Sequence, residues 1–390
     1  MFPLRWTEDA WQYAALNMFP LQWAVLRLNL SRGPRGTDGH QPQCTKHIPQ
    51  VHHSASLSLK LPTTPLPRGP SAIFCLREFL CVTLFFFMNS IVPLDLHWQG
   101  RPRAIASALL LSRDFRALVD PGPASTLQNL REQLAAHHCS VADLQAIFLT
   151  HIHLDHAGAS GSLVQENPHL QVYVHARGAD HMADPSNLLA SAQRLYGNDL
   201  RRLFGDFLPV PKENLHVLAG GETLSFGSRE LRVLYTPGHA SHHVTYFDPG
   251  EGVAFVGDTA GICIEGQSFI LPATPPPDIH IEPWDASLDA IAKLQPRQLF
   301  LTHFGFSDQP ASHIAHYRER LHRWSDIAAQ VLGAGHDEQQ AADAFVREVT
   351  HEASATLSAE EISQYGFVGA FNLSWLGLAR YHRKRMASHP

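Results

Sequence analysis

The stretch Thr150-His151-Ile152-His153-Leu154-Asp155-His156-Ala157-Gly158 decides how this chain is read. Three imidazoles and one carboxylate fall within six positions, directly after the apolar run 146–149. Imidazole and carboxylate are the ligands that zinc and similar divalent ions take. A polar side chain buried without a partner costs roughly 2–7 kcal/mol, so four crowded together need a shared partner. A metal ion is the natural one. The competing reading is a His-rich surface loop in a chain with 26 His. It loses ground because the later chain supplies further ligand types in order.

Working outward, Thr236-Pro237-Gly238-His239 follows the apolar run 231–235, Gly257-Asp258-Thr259 follows 253–256, and Thr302-His303-Phe304-Gly305 follows 298–301. Each ligand candidate sits just past the C-terminal end of an expected strand, so several strands of one sheet can aim their loops at one place. Asp120, in Leu118-Val119-Asp120-Pro121-Gly122, occupies the same kind of position. It suits a carboxylate that orients a ligand imidazole. His242 and His243 compete with His239 on residue type alone.

The set His-x-His-x-Asp-His, Pro-Gly-His, Gly-Asp and Thr-His-Phe-Gly, over about residues 104–305, resembles the metallo-β-lactamase superfamily. The resemblance implies an α/β fold, a four-layer αβ/βα sandwich with a metal site along one edge. It implies that His151, His153 and His239 hold one zinc, that Asp155, His156 and His303 hold a second, and that Asp258 bridges them. Mn2+, Fe2+ and Co2+ are chemically acceptable alternatives. Two such metals lower the pKa of a bound water from ~15.7 to near ~7 and polarise a carbonyl. Asp155 is then the catalytic candidate, orienting the nucleophile and passing a proton to the leaving group. The implied enzyme is a metal-dependent hydrolase of an ester, thioester, lactone or amide. A metal-stabilised binding protein is the non-enzymatic alternative, but structural zinc sites are closed and usually use thiolates, whereas this set has no Cys and a shared Asp.

Composition bounds the rest. A chain of 390 residues with 44% hydrophobic and 17% charged residues exceeds one typical domain and reads as an ordinary globular protein. The net charge of −6 is uneven. Residues 1–87 carry eight Lys/Arg against four Asp/Glu, leaving 22 against 32 for the remainder. That acidic remainder speaks against a nucleic-acid substrate and for a small molecule. Of the five cysteines, only Cys139 and Cys263 lie beyond residue 87, and no C-x-x-C spacing occurs. This is no disulfide framework, so a cytoplasmic location is expected. The oligomeric state is open, a homodimer included.

Residues 1–87 read differently from the rest. Positions 31–70 are rich in Pro, Gly, Ser, Thr and His and show no sustained period. The apolar run 79–88 is too short for a bilayer span, which needs about 20 apolar residues. Met88 stands where the organised pattern begins, so the preferred expectation is that translation starts there and that nothing upstream touches a membrane; an N-terminal extension with a membrane-touching segment is the alternative.

From Ser90 onward, short apolar runs at 104–111, 117–119, 146–149, 172–175, 231–235, 244–247, 253–256 and 298–301 predict strands. Helices are predicted over 124–138, 180–207 and 286–294. The expected catalytic domain runs from 88 to 308. Beyond it the pattern turns helical, over 311–332, 337–350 and 359–385, with a capping box at Ser358-x-x-Glu361. This helical region, 309–390, is expected to cover one face of the sheet domain, or to wall the substrate pocket.

The substrate is less legible. Asp258 argues against a true β-lactamase, since drug-hydrolysing members of the resembling family generally lack it. The acidic catalytic part and the lack of an inserted nuclease domain argue against the nuclease branch. His153 argues against the flavo-diiron branch, where Glu stands at that position; a one-iron persulfide dioxygenase is a minor alternative. Two branches are left. N-acyl-homoserine lactonases (quorum-quenching enzymes) carry a long insert after the His-rich motif, which 179–211 matches. They usually carry Tyr three residues after the bridging Asp, where this chain has Gly261; Tyr196 in the insert is the candidate substitute for substrate binding. Glyoxalase-II-type thioesterases normally show Gly-His-Glu-Tyr at the last His, and use basic C-terminal residues for glutathione. Here Arg380, Arg383, Lys384 and Arg385 read more simply as a helix C-terminal charge cluster. Lactone hydrolysis is therefore the leading expectation and thioester hydrolysis the runner-up.

Overall fold

The computed structural model describes residues 89–264 and 269–388. The expectations for residues 1–87, including the apolar run 79–88 and a start at Met88, lie outside the described residues. Twelve strands form two six-stranded sheets. In the first, β1 (Asn89–Asp95), β2 (Ala106–Ser112) and β3 (Arg116–Val119) are antiparallel; β4 (Ala146–Phe148), β5 (Gln171–His175) and β6 (Leu215–Leu218) then continue from β3 in parallel. The second contains β7 (Thr223–Phe226), β8 (Arg229–Tyr235), β9 (Val244–Asp248), β10 (Val253–Phe255), β11 (Gln298–Leu301) and β12 (Gly305–Ser307). Its pairs are antiparallel except β10 with β11.

Side-chain alternation along each strand builds the layers. In β2, Ala106, Ala108 and Leu110 face the second sheet, in one core with Val233, Tyr246 and Phe255, while Leu109 faces the helices outside. That outer layer contains α1 (Leu127–Ala136), α2 (Leu154–Ala157), α3 (Ser160–Glu166), α4 (Ala176–Ala183), α5 (Ser186–Tyr196) and α6 (Leu200–Phe204). The other outer layer contains α7 (Ile281–Lys293), α8 (Pro310–Gly333), α9 (Glu338–Ser354), α10 (Ala359–Gly369) and α11 (Phe371–Ser388). In α8, Ile314, Tyr317, Leu321, Trp324, Ala328 and Val331 recur every three or four residues and share one core with Ala254, Leu299 and Leu301 of the second sheet. This is the four-layer αβ/βα sandwich, with C-terminal helices packed on one outer face.

Two helices differ from the pattern reading. The segment 180–207 is not one helix, because Pro185 lacks an N–H and Gly197 and Gly205 adopt positive φ, which divides it into α4, α5 and α6. The segment 359–385 breaks at Ala370, where φ is 42°, into α10 and α11. The capping box at Ser358 forms, with Glu361 accepting the Ser358 N–H at 2.7 Å. Burial pushes the thiols of Cys139 and Cys263 up, Cys263 to about 11. Among the described residues no helix is long and apolar enough to cross a membrane.

Candidate metal centre

The parallel pairs fix where the site forms. β3 and β4 run in the same direction, so Asp120 and His151 leave the first sheet at one edge. β10 and β11 do the same for Asp258 and His303 in the second. The two edges meet where the Ala106 N–H bonds the Thr302 carbonyl at 2.8 Å. All seven sequence candidates gather there in two groups. His151, His153, His239 and Asp258 form one, and Asp155, His156 and His303 the other; within each group the candidate ligand atoms lie within 4.8 Å of one another. His242 and His243 belong to neither group. The His243 ring is held between the hydroxyls of Thr236 (3.1 Å) and Thr259 (3.0 Å). Burial holds His242 down at about 3, and its Nδ1 accepts the Ile152 N–H at 3.4 Å.

Hydrogen bonds on the far ring nitrogens fix which nitrogen faces inward. His239 Nδ1 donates to the Ala273 carbonyl at 2.7 Å, and His303 Nδ1 to the Ala104 carbonyl at 2.7 Å. His156 Nδ1 donates to Asp120 Oδ2 at 2.8 Å. Each of these rings therefore turns Nε2 toward Asp258. Asp120 itself is fully buried, at a φ of 50° that Asp tolerates better than most residues. Its Oδ1 accepts the Thr150 N–H at 2.8 Å, and its Oδ2 accepts the hydroxyls of Thr150 (2.7 Å) and Thr302 (2.8 Å) besides the His156 ring. The two threonines were missed in the sequence; the repeated Thr-His pair after a strand, at 150–151 and 302–303, was the available signal.

The polar atoms at the centre fit a cation. His151 Nε2, His156 Nε2 and Asp258 Oδ1 are buried without a hydrogen-bond partner. Leaving a buried polar atom unsatisfied costs about 1–3 kcal/mol each. His239 Nε2, with its proton on Nδ1, faces His153 Nδ1 at 2.9 Å. Imidazole and carboxylate without thiolate match zinc and the harder divalent metals.

Without a cation the centre balances itself with protons. Burial alone would raise the Asp155 carboxyl, but the His156 charge and the His303 hydrogen bond outweigh it and hold it at about 2. Burial opposes charge on His156 and His303 as well; Asp258, foremost among the carboxylates, outweighs it and raises both rings. Burial and neighbouring imidazoles push His151 and His153 well down. Tyr196 closes α5 with its ring edge-on to Phe204 at 4.8 Å. Burial, then the Asp155 charge, pushes its hydroxyl up.

The sequence profile of the metallo-beta-lactamase superfamily matches residues 100–303. The chain belongs to the metallo-beta-lactamase superfamily. Among its superfamily relatives, it is 30% identical over 166 residues to a metallo-beta-lactamase fold-containing protein of Sulfurisphaera tokodaii, covering 42% of this chain and 61% of that protein. It is 33% identical over 158 residues to a hydroxyacylglutathione hydrolase of Synechocystis, covering 39% of this chain and 48% of that enzyme. The chain thus spans less than two thirds of the length of either relative. The crystal structure of a metallo-beta-lactamase family protein from Thermus thermophilus superposes with a TM-score of 0.54 at 22% identity, covering 77% of this chain and 94% of that one, which shows the shared fold.

Proposed function

We propose that this superfamily member is a dinuclear metal hydrolase that cleaves an activated acyl carbonyl. The observation that carries this is the placing of Asp258 between the two groups. Its Oδ2 lies 3.4 Å from His239 Nε2, while its Oδ1 lies 3.3 Å from His156 Nε2 and 3.7 Å from His303 Nε2. One carboxylate facing both groups suits a bridging ligand between two ions, with His151, His153 and His239 on one and Asp155, His156 and His303 on the other. Two divalent ions held there, zinc first, would supply Lewis acidity and a water of lowered pKa. The chain supplies the rest. Asp120 keeps the His156 proton on Nδ1. Asp155, with its Oδ2 3.3 Å from His303 and its side chain 27% exposed, is the carboxylate placed to take a proton and hand it to the leaving group. On this reading the domain 88–308 carries the chemistry, and the described helices of the region 309–390 pack behind it.

For the substrate, the hydroxyacylglutathione hydrolases among the relatives support a thioester. The apolar surroundings of Tyr196, with Leu188, Leu189, Leu200 and Phe204, support an apolar acyl group, as in an N-acyl-homoserine lactone. The C-terminal cations offer glutathione little: Arg383 pairs with Glu338, and Arg385 with Glu282. We place the lactone first and the glutathione-type thioester second. The test is a panel with zinc-loaded and metal-stripped protein: an acyl-homoserine lactone, a glutathione thioester, a β-lactam and an aryl ester. Metal-dependent lactone opening, abolished by Asp155→Ala and by His303→Ala, is expected. Turnover of the thioester alone would give the second reading, and no metal-dependent turnover of any acyl substrate would defeat the proposal.

A further inference from the structure

The segment from Asp258 to Thr274 carries the bridging candidate at one end and the acceptor of the His239 proton, the Ala273 carbonyl, near the other. It also touches the second ligand group, because the Cys263 N–H bonds the His303 carbonyl at 2.6 Å and the Phe304 N–H bonds the Cys263 carbonyl at 3.1 Å. Among its described residues, backbone pairing between the outgoing and returning chain is confined to the Ile262–Leu271 bridge. Further ties come from the C-terminal helices. The Tyr365 hydroxyl, on α10 and fully buried, accepts the Ile264 N–H at 3.1 Å and donates to the Phe269 carbonyl at 2.5 Å. One oxygen thus ties the outgoing chain to the returning chain. Arg320 of α8 donates to the Ile270 carbonyl at 2.9 Å and lies 3.9 Å over the Phe269 ring. On α11, Gly377 packs so closely that a Cβ there would lie 2.0 Å from the Thr274 carbonyl oxygen.

We propose that Tyr365 is a positioning residue for the metal centre, acting through the segment 258–274 on Asp258, His239 and His303. This rests on the reading that the two groups hold metal. A hydroxyl that both accepts and donates cannot be replaced by a ring alone. Removing it strands a buried N–H and a buried carbonyl, one residue from Cys263 and four from Ala273. The helical region then does more than cover a sheet face: it sets the spacing of ligands from both groups.

The test uses the full chain, stripped of metal and titrated with Co2+, read by the visible ligand-field spectrum and by urea unfolding. Four proteins are compared: wild type, Tyr365→Phe, Gly377→Ala and Leu130→Ala. Leu130 lies buried in the opposite outer layer, so its variant loses stability without touching the segment. Loss of a group bonded directly to a metal ligand typically weakens metal binding about 10–100-fold; Tyr365 acts one step further out, so the low end, about tenfold, is expected for Tyr365→Phe, with a changed spectrum. Gly377→Ala shifts both readouts in the same sense, and Leu130→Ala keeps wild-type affinity and spectrum. Wild-type affinity and spectrum in Tyr365→Phe, or a Leu130→Ala weakened in step with its lost stability, overturns the proposal. Should Tyr365→Phe not fold, Gly377→Ala decides by the same criteria. A wild-type chain that takes up no Co2+ defeats the metal reading itself, and this inference with it.

Discussion

Asp120→Asn keeps the shape of the side chain and removes its charge at the junction of four hydrogen bonds. The amide oxygen can still accept the Thr150 N–H, now 2.8 Å from Oδ1. The amide nitrogen then replaces Oδ2, which today accepts from the Thr150 and Thr302 hydroxyls and from His156 Nδ1. Hydroxyls can rotate and accept from an amide; an Nδ1–H cannot. His156 must therefore move its proton to Nε2, the nitrogen that faces the second ligand group. A ligand imidazole protonated on its coordinating nitrogen loses its lone pair. Loss of such a supporting partner typically costs 10–100-fold in metal affinity, about 1.4–2.7 kcal/mol at the site formed by Asp155, His156 and His303. The first site has no ring bonded directly to Asp120 and is reached only through the Thr150 hydroxyl, 3.1 Å from His151 Nδ1, so its loss should be the smaller. Stability of the metal-free fold should fall by about 1–3 kcal/mol for one unsatisfied buried donor. Competition against a chromophoric chelator resolves two successive zinc affinities, and nitrogen-15 spectra report the His156 tautomer. Wild-type affinity at both sites in Asp120→Asn, with an unchanged tautomer, would refute the reasoning.

Further outcomes follow from the same centre. In the metal-free chain His156 and His303 are raised above the ordinary imidazole range, burial opposing and Asp258 prevailing. Their contribution to stability is full below about pH 6.5 and fades as pH rises through the raised values, while the imidazoles held down, His151, His153 and His242 among them, cost stability below about pH 6.5 and act in the opposite sense. The raised pair is isolated by difference: His303→Gln should cost the metal-free fold more urea-derived stability at pH 6 than at pH 9, and an equal cost at both would contradict the protonated pair. Metal binding must displace those protons, so calorimetry in buffers of different ionisation enthalpy should show proton release; none would contradict the assignment. Gly257→Ala puts a Cβ 2.4 Å from Thr150 Oγ1 and 2.7 Å from His243 Nε2, at a φ of +46°. It should lower the urea-derived stability by about 2–4 kcal/mol, from left-handed strain plus overpacking, and a loss under about 0.5 kcal/mol, the scale of a neutral surface change, would count against the packing described here.

The eight strands read from the sequence are the interior strands of the two sheets, and the four unread ones, β1, β6, β7 and β12, are the four edges. Several interior strands bury both faces and show as unbroken apolar runs, such as Phe300-Leu301 or Val253-Ala254-Phe255, while β8 exposes Arg232 and Tyr235 and was read from its run 231–235. An edge strand is half-solvated: β6 exposes His216 and Val217, β1 carries Pro93, and β12 starts on Gly305 next to a site histidine. The site was legible because ligand chemistry needs particular side chains at strand ends. Its support was not, since the carbonyls of Ala104 and Ala273 can belong to any residue type. Tyr365 was hidden for a different reason. A tyrosine in an amphipathic helix looks like packing until its hydroxyl is seen between Ile264 and Phe269.

The claim on which the account stands is a pair of metal ions sharing Asp258. Anomalous diffraction recorded on either side of the zinc absorption edge, from crystals of zinc-loaded protein, tests it directly. The account predicts two peaks flanking the Asp258 carboxylate, one against His151, His153 and His239, the other against Asp155, His156 and His303. A single peak, or none, at that sheet edge would contradict it.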